Sequence, residues 1–591
     1  MKKNQKGLYV ADIKRKYKEQ VYHTYLLRRS YREDGKVKQQ TLANLTPLPD
    51  ETREIIRGSL QGRVFVPLEE AIEITRSRSH GHVAAVRKMF QHLGLAELIC
   101  AQPCRERDLV EAMIVARILN PQTKLATTRW WHNTTLPEEL SVADADEDEL
   151  YAAMDWLVQR QANIESKLAQ RHLGKESLVL YDVSSSYYEG SHCALAAYGH
   201  NRDKKKGKKQ IVYGLMTDDE GRPISIQVYP GFTSDPNTAD DQINKLKIRF
   251  GVEHFVLAGD RGMLTQGRID KLKELGGIDW VSALRAPSIK RLVEQGNLQL
   301  SLFDEKDLME ITSPDYPGER LVVCRNPYLA EDRARTRREL LAATEEKLAG
   351  LAKRVAAGRL KQEAKIGEAL GRVATKYKMA KHFAFTVGEG RFSYKRNEEG
   401  IAAEAALDGF YVIRTSVAEE KWSPEKVVLS YKSLSRAERA FRTLKGVDLK
   451  IRPIHHRMEG RVRAHIFLCM LAYYVEWHLR EAWRSLLFDD EYPGEREAGS
   501  PVLPAWRSAS ALKKASTKIL PDGTPVHSFQ TLLSELAMIV CNDAWVPAIP
   551  EIPPFTLITK PNQTQGKALE FTGLDMNPKN SRQKKLLKSA K

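Results

Sequence analysis

Three acidic residues stand where a carboxylate needs a reason. Asp182 lies inside the apolar run Leu-Val-Leu-Tyr-Asp-Val, where an unpaired charge is costly to bury. Asp260 follows Phe-Val-Leu-Ala-Gly and precedes Arg-Gly-Met, at the carboxyl end of an apolar run, where α/β proteins commonly build sites. Glu438 lies in residues 431–445, YKSLSRAERAFRTLK. There Leu434, Ala437, Phe441 and Leu444 fall at helical spacing, while Tyr431, Glu438, Arg442 and Lys445 share another face of the same helix. Singly, each has an ordinary account: a hydrogen-bonded strand-end Asp, a helix N-cap, a salt-bridged surface helix. Together, three carboxylates suit two Mg²⁺ or Mn²⁺ ions, which take oxygen ligands and keep positions open for phosphate and water. Two such ions stabilise the attacking and leaving oxygens of an in-line phosphoryl displacement. Arg442 and Lys445 could then hold the flanking phosphates.

Glu189, Asp203 and Asp235 compete for the third acid, but none has a Lys seven residues on along a helix face. The loop at residues 199–209, GHNRDKKKGKK, carries six cations. Arg202, Lys204, Lys205, Lys208 and Lys209 could grip a DNA backbone there; the alternative is a solvated approach to a strand. His455 and His456 could touch DNA, order the Glu438 helix or simply make a turn. Trp130 and Trp131 are expected to pack a helical domain. The six cysteines show no paired CxxC spacing, which fits a reduced compartment and no structural zinc.

The elements that must position these residues follow from periodicity. Residues 178–183, 211–217 and 224–229 read as strands, 237–250 as a helix, 255–258 as a strand, 264–275 as a helix and 278–284 as a strand. That order predicts an α/β sheet with the first three strands antiparallel and the later ones parallel. If the first and fourth strands are neighbours, about 4.8 Å apart, Asp182 and Asp260 can share a metal, and a helix across the sheet can add Glu438. Residues 286–405 leave this pattern. They are expected to be an insertion domain with long helices over 331–378, rejoining the sheet through a strand at 410–415. The catalytic domain is thus 176–285 plus 406–487. Ahead of it, residues 1–80 read as a basic hairpin around Glu33-Asp34-Gly35 and a connector. Residues 81–175 read as a small all-α domain for DNA binding or dimerisation, with the acidic run at 144–149 capping its last helix. Residues 488–560 are expected to form a C-terminal helical region, and 561–591 a basic, disordered tail.

The chain has 591 residues with 93 Lys and Arg against 76 Asp and Glu, a net +17, which favours a polyanionic partner. No apolar core follows the first basic residues, and the apolar run at 466–475 is too short for a bilayer. No membrane role is expected. The absence of a G-x-x-x-x-G-K-[ST] loop argues against an ATP-driven machine.

The segments Tyr-Asp-Val-Ser-Ser-Ser-Tyr, Ala-Gly-Asp-Arg-Gly-Met and Tyr431…Glu438…Lys445, followed by Arg452-Pro453-Ile454-His455-His456, resemble insertion-sequence transposases of the DDE type. More narrowly, they resemble the Y-x2-R-x3-E-x6-K branch of the insertion-sequence-four superfamily and its sixteen-thirty-four-like group. The resemblance spans about residues 176–480. It implies a ribonuclease-H-like core with an insertion before the catalytic Glu helix, and Asp182, Asp260 and Glu438 as catalytic metal ligands. It gives Tyr431 and Lys445 to transposon-end DNA. It implies cleavage at the inverted-repeat ends and strand transfer into double-stranded target DNA, by a homodimer in a cytoplasmic, bacterial nucleoid setting. The signature's Arg falls at Leu434, with Arg442 the expected substitute. The competing functions are a nuclease on the same fold and a DNA-binding derivative that has lost catalysis.

Overall fold

The computed structural model describes residues 7–574, apart from 66, 68–70, 304–305, 492–499, 505, 548 and 550. It divides into two compact units: residues 1–79 with 539–560, and residues 80–538 with 561–591.

The first unit opens with strands β1 (Leu8–Tyr17), β2 (Gln20–Glu33) and β3 (Lys36–Asn44), which form an antiparallel meander. Asp34 and Gly35 both have positive φ, 49° and 76°, the backbone that a two-residue turn needs to match the twist of its strands. The expected hairpin is therefore present, with β1 added along its other edge. Helix α1 (Asp50–Leu60) and strand β4 (Glu73–Ser79) follow, within a stretch read from sequence as a connector. β4 pairs with Val540–Trp545, which pairs with Phe555–Ile558. The expected C-terminal helical region at 488–560 holds helices Ala509–Thr517 and Phe529–Ala537 but ends in these two strands: Val540, Cys541 and Trp545 suit a strand, and β4 supplies the partner that sequence periodicity could not show.

The second unit begins with helices α2 (Gly81–His92), α3 (Leu95–Ile99), α4 (Arg105–Leu119), α5 (Lys124–Trp130), α6 (Leu136–Glu139) and α7 (Glu147–His172). Gly94, at φ 59°, separates α2 from α3. Asp146 caps α7, its carboxylate accepting from the Glu149 amide at 2.9 Å; Glu147, Asp148 and Glu149 then sit against the positive end of the helix. Trp131 is fully buried.

Next come β5 (Ser177–Tyr187), β6 (Gln210–Thr217), β7 (Pro223–Tyr229), α8 (Asp235–Asn244), β8 (Phe255–Ala258), α9 (Gln266–Leu275), β9 (Ile278–Ala283), α10 (Ala286–Glu294), β10 (Leu308–Ile311) and β11 (Arg320–Arg325). Helices α11 (Pro327–Ala356) and α12 (Glu363–Tyr377) lead to a hairpin of β12 (Phe383–Gly388) and β13 (Arg391–Arg396). After α13 (Glu398–Ala405) the chain returns through β14 (Phe410–Thr415), α14 (Pro424–Lys432), α15 (Leu434–Lys445) and α16 (Glu459–Ala482). The protein is thus mixed α/β around an eight-stranded sheet of order β10-β11-β14-β9-β8-β5-β6-β7. β5, β6 and β7 are antiparallel, and β8 and β9 run parallel to β5. Every residue of β6 is buried, as befits an apolar strand covered on both faces.

Two boundaries move. β10 and β11 extend the sheet, β11 pairing with β14, so the departure from the sheet starts at α11 rather than at 286. Near the C-terminus, Gln563–Phe571 is a helix with a capping box from Asn562 and Gln565, which corrects the expected disorder of 561–591. The basic end of that stretch, 575–591, lies outside the described residues. Among the described residues no helix is long and apolar enough to cross a membrane.

Candidate active site

β5 and β8 place the first two carboxylates side by side. Their parallel register ends at Leu180 opposite Ala258, and Asp182 and Asp260 each lie two residues further on. Asp182 Oδ1 accepts from the Val183 amide at 2.8 Å, and Asp260 Oδ1 from the Arg261 amide at 2.8 Å. The second oxygen of each carries no protein hydrogen bond among the described residues.

The third carboxylate comes from α15, which lies across β5. Ala437 is buried with Leu180 and Ala258, and Leu434 packs against that same cluster. Phe441 meets the ring of Tyr213 at 5.8 Å between centroids. This apolar stripe fixes the rotation of the helix and leaves Glu438 at the mouth of a cavity of about 270 Å³. Asp182, Asp260, Glu438, Arg202 and Asp235 all line it. Burial pushes the Asp182 carboxyl up to about 6, with the Glu438 and Asp260 charges adding to the effect and the Val183 amide and Arg202 opposing it. None of the three acids forms an ion pair among the described residues.

The helix carrying Glu438 is not the single helix expected over 431–445. α14 ends at Lys432 and α15 starts at Leu434. Tyr431 therefore belongs to α14. It still faces the acids: burial, then the Asp260 charge, pushes its phenol up to about 12. Leu434, at the signature's Arg position, is apolar because it packs on the sheet. Arg442 is exposed and is not among the residues lining the cavity. The guanidinium that does line it is Arg202, held by Asp235 at 2.6 Å.

Lys445 was expected at DNA. Instead its ammonium is engaged within the fold, donating to the Ser185 carbonyl at 2.5 Å and to Asp203 Oδ1 at 3.2 Å, with the side chain only 12% exposed. Asp203 is 1% exposed. It also accepts from Arg452 and from the Tyr187 amide at 2.9 Å. Asp203, weighed from sequence as a possible third acid, is thus an anchor between β5 and the end of α15. Asp235, weighed in the same way, reaches the cavity. Of the basic loop, Lys204, Lys205 and Lys208 are exposed and Lys209 is half-buried. Lys208 pairs with Glu189 at 3.4 Å.

A half-buried carboxylate raised in pKa, beside two more acids that form no ion pair among the described residues, is a donor set that fits a divalent cation. Asp182, Asp260 and Glu438 are the residues that would hold it. Among the described residues, no group of three His, Cys, Asp or Glu side chains already stands in metal-holding geometry.

Carboxylates gathered from two neighbouring parallel strands and a helix across them suit metal-dependent phosphoryl transfer. A family model described as a transposase DDE domain matches residues 173–475, just over half of the chain, and one described as an IS1634 family transposase N-terminal domain matches residues 10–64. The chain belongs to the DDE transposases, in the IS1634-like group. No curated protein matches it. A solved structure of piggyBac transposase in a synaptic complex with hairpin DNA is 9% identical over 77% of this chain and 82% of that one, with a TM-score of 0.32, a likeness too distant to carry an argument.

Proposed function

We propose that this transposase cuts DNA at the inverted-repeat ends of its own element and joins the freed ends to target DNA, using Asp182, Asp260 and Glu438 as the catalytic acids. The observation that carries this reading is that three carboxylates without ion pairs line one cavity at the carboxyl ends of β5 and β8. The strand order of β5 to β9, third-second-first-fourth-fifth, supports a ribonuclease-H-like core.

The acids would hold two Mg²⁺ or Mn²⁺ ions, whose chemistry when bound is to stabilise the attacking and leaving oxygens of an in-line displacement. Arg202, oriented by Asp235, presents a guanidinium to a phosphate oxygen entering the cavity. Lys204, Lys205, Lys208 and Lys209 continue that charge along the flanking backbone, and exposed Arg442, one turn beyond Glu438 on α15, adds to it. Tyr431 stays protonated at neutral pH and offers its hydroxyl beside Asp260. Lys445 acts as a positioning residue. Hydrolysis replaces one P–O bond with another and frees a 3′-hydroxyl. Attack by that hydroxyl on a target phosphodiester again exchanges one P–O bond for another, so no ATP is required. Joining two ends to one target favours a homodimer, with residues 81–175 as its DNA-binding or dimerisation part. The enzyme would work at the bacterial nucleoid in the cytoplasm.

A second reading is a DNA-binding derivative without catalysis. One assay separates the two. A supercoiled plasmid carrying the element's ends is expected to be nicked by the wild-type chain with Mg²⁺ and not with EDTA. Asp182→Ala, Asp260→Ala and Glu438→Ala are expected to bind the plasmid without cutting it. Cleavage by Glu438→Ala at the parent rate would overturn the site. A wild-type chain that binds but never cuts with Mg²⁺ or Mn²⁺ would establish the second reading.

A further inference from the structure

A second cavity, of about 530 Å³, lies where the end of α4, the start of α5, α7 and the chain entering α16 meet. Six of its fifteen lining residues are Lys or Arg. Arg117, Lys124, Lys450, Arg452, Arg457 and Arg461 all line it, and no carboxylate does. Carboxylates reach only two of these from outside the cavity: Asp203 holds Arg452, and Asp155 holds Arg461 at 3.2 Å. Arg117, Lys124, Lys450 and Arg457 have no ion-pair partner among the described residues. Lys124 is the most telling. It is 95% buried, being 5% exposed, and its ammonium makes no hydrogen bond among the described residues. Burial, then the Arg117 charge, pushes it down to about 7. Nearby, His465 donates through its Nε2–H to the Ile451 carbonyl at 3.1 Å.

A fold gains nothing by burying Lys124 and Arg117 together for their own sake, since a buried charge without a counter-ion is among the costliest features a protein can carry. The amino-terminal end of the 24-residue α16 adds its partial positive charge, as Met458 and Arg461 both line the cavity. All of this calls for a compact anion with several acceptor oxygens.

We propose that this cavity is a phosphate-binding site, and that the phosphate it takes is a backbone phosphate of DNA. Lys124 and Arg117 form its floor, and exposed Lys450 and Arg457 meet the flanking phosphodiester at its mouth. Arg452 connects it to the acids: its guanidinium bonds Asp203, which holds Lys445 at the end of α15. A strand seated here would brace the helix that carries Glu438. Only the DNA origin of the phosphate rests on the transposase reading; the anion site itself does not.

The test uses the full chain, with inorganic phosphate and a short fluorescein-labelled DNA duplex as probes. Phosphate at constant ionic strength is expected to raise the melting temperature saturably. Lys124→Met is expected to melt higher than the parent without phosphate and to lose the phosphate response. The same substitution should make the plot of log affinity against log salt for the duplex shallower by about 0.9, the value of one lost phosphate contact. Arg457→Gln, exposed and safe for folding, should also make that plot shallower. A wild-type chain indifferent to phosphate would overturn the site. A phosphate response that Lys124→Met removes, with duplex affinity and salt slope unchanged in both variants, would overturn the DNA assignment and leave a free-anion site. Because the phosphate response needs no cleavage, a chain that never cuts DNA still reports on this cavity.

Discussion

Lys445 offers the sharpest test, because the family signature and the structure give it different work. The signature sends it to transposon-end DNA; the structure turns it inward. Lys445→Met removes an ammonium that donates to Ser185 and Asp203 but that burial already penalises, holding it below the usual lysine range against the pull of Asp203. A hydrogen bond to a charged group is worth about 1.5–3 kcal/mol net, and the recovered desolvation offsets part of it, so the expected loss is about 1 kcal/mol. Asp203→Ala is a different perturbation. It leaves Lys445 and Arg452 close together without their shared carboxylate, and the Tyr187 amide without its acceptor. Removing one partner from a buried charge cluster costs about 3–5 kcal/mol. Urea unfolding followed by tryptophan fluorescence should show this asymmetry. In parallel, duplex binding by Lys445→Met should keep the parent's salt slope while plasmid nicking slows, because α15 loses its tie to β5. If Lys445→Met instead makes the salt slope shallower by about 0.9 with stability unchanged, the lysine touches a phosphate and the positioning role is wrong.

Two further outcomes follow from buried groups. Leu434→Ala removes a partly buried side chain from the contact with Leu180, Ala258 and Ala437; it should cost about 1–2 kcal/mol in the same unfolding assay, less than a fully buried leucine, and a change within error would mean that α15 is not seated on the sheet by this stripe. Glu476 on α16 is fully buried, and burial outweighs Arg480 to raise its carboxyl to about 7. Its folded pKa lies above its unfolded one, so its contribution to stability is complete at low pH and is lost as pH rises from about 4.5 to about 7, by roughly 3 kcal/mol in all. Melting temperatures of Glu476→Gln should lack this decline, and parallel pH profiles for parent and variant would exclude it.

The three acids could be found from sequence because each marks a local rule being broken or used: a charge in an apolar strand, a strand's carboxyl end, a helix with two distinct faces. The adjacency of β5 and β8 was a condition of that reading, and the sheet supplies it. What sequence could not show was whom each cation faces. Lys445 and Arg442 share a helix face with Glu438 in a wheel drawn from spacing, yet Lys445 is turned inward by Asp203, a residue 242 positions earlier in the chain. The break between α14 and α15 was equally hidden, since Ser433 retains right-handed helical dihedrals and no Gly or Pro marks it. The strands near the C-terminus depend on β4, whose pairing with Val540–Trp545 spans most of the chain.

The same long-range logic resolves the position the signature leaves unexplained. An arginine is expected where this chain has Leu434, with Arg442 the expected substitute, since Arg436 faces elsewhere on the helix wheel. Arg436 is engaged at the Asp219 carbonyl, and Arg442 is outside the cavity lining. Arg202 lines the cavity, and Asp235 fixes its guanidinium at 2.6 Å. A phosphate-facing arginine can be supplied from any element whose loop reaches the acids. What the chemistry constrains is the place of the charge relative to Asp182, not its spacing from Glu438. Leucine at 434 then costs the site nothing and adds an apolar contact that seats α15 on β5 and β8. Asp235, dismissed as a metal ligand on spacing, gains its place as the residue that aims Arg202.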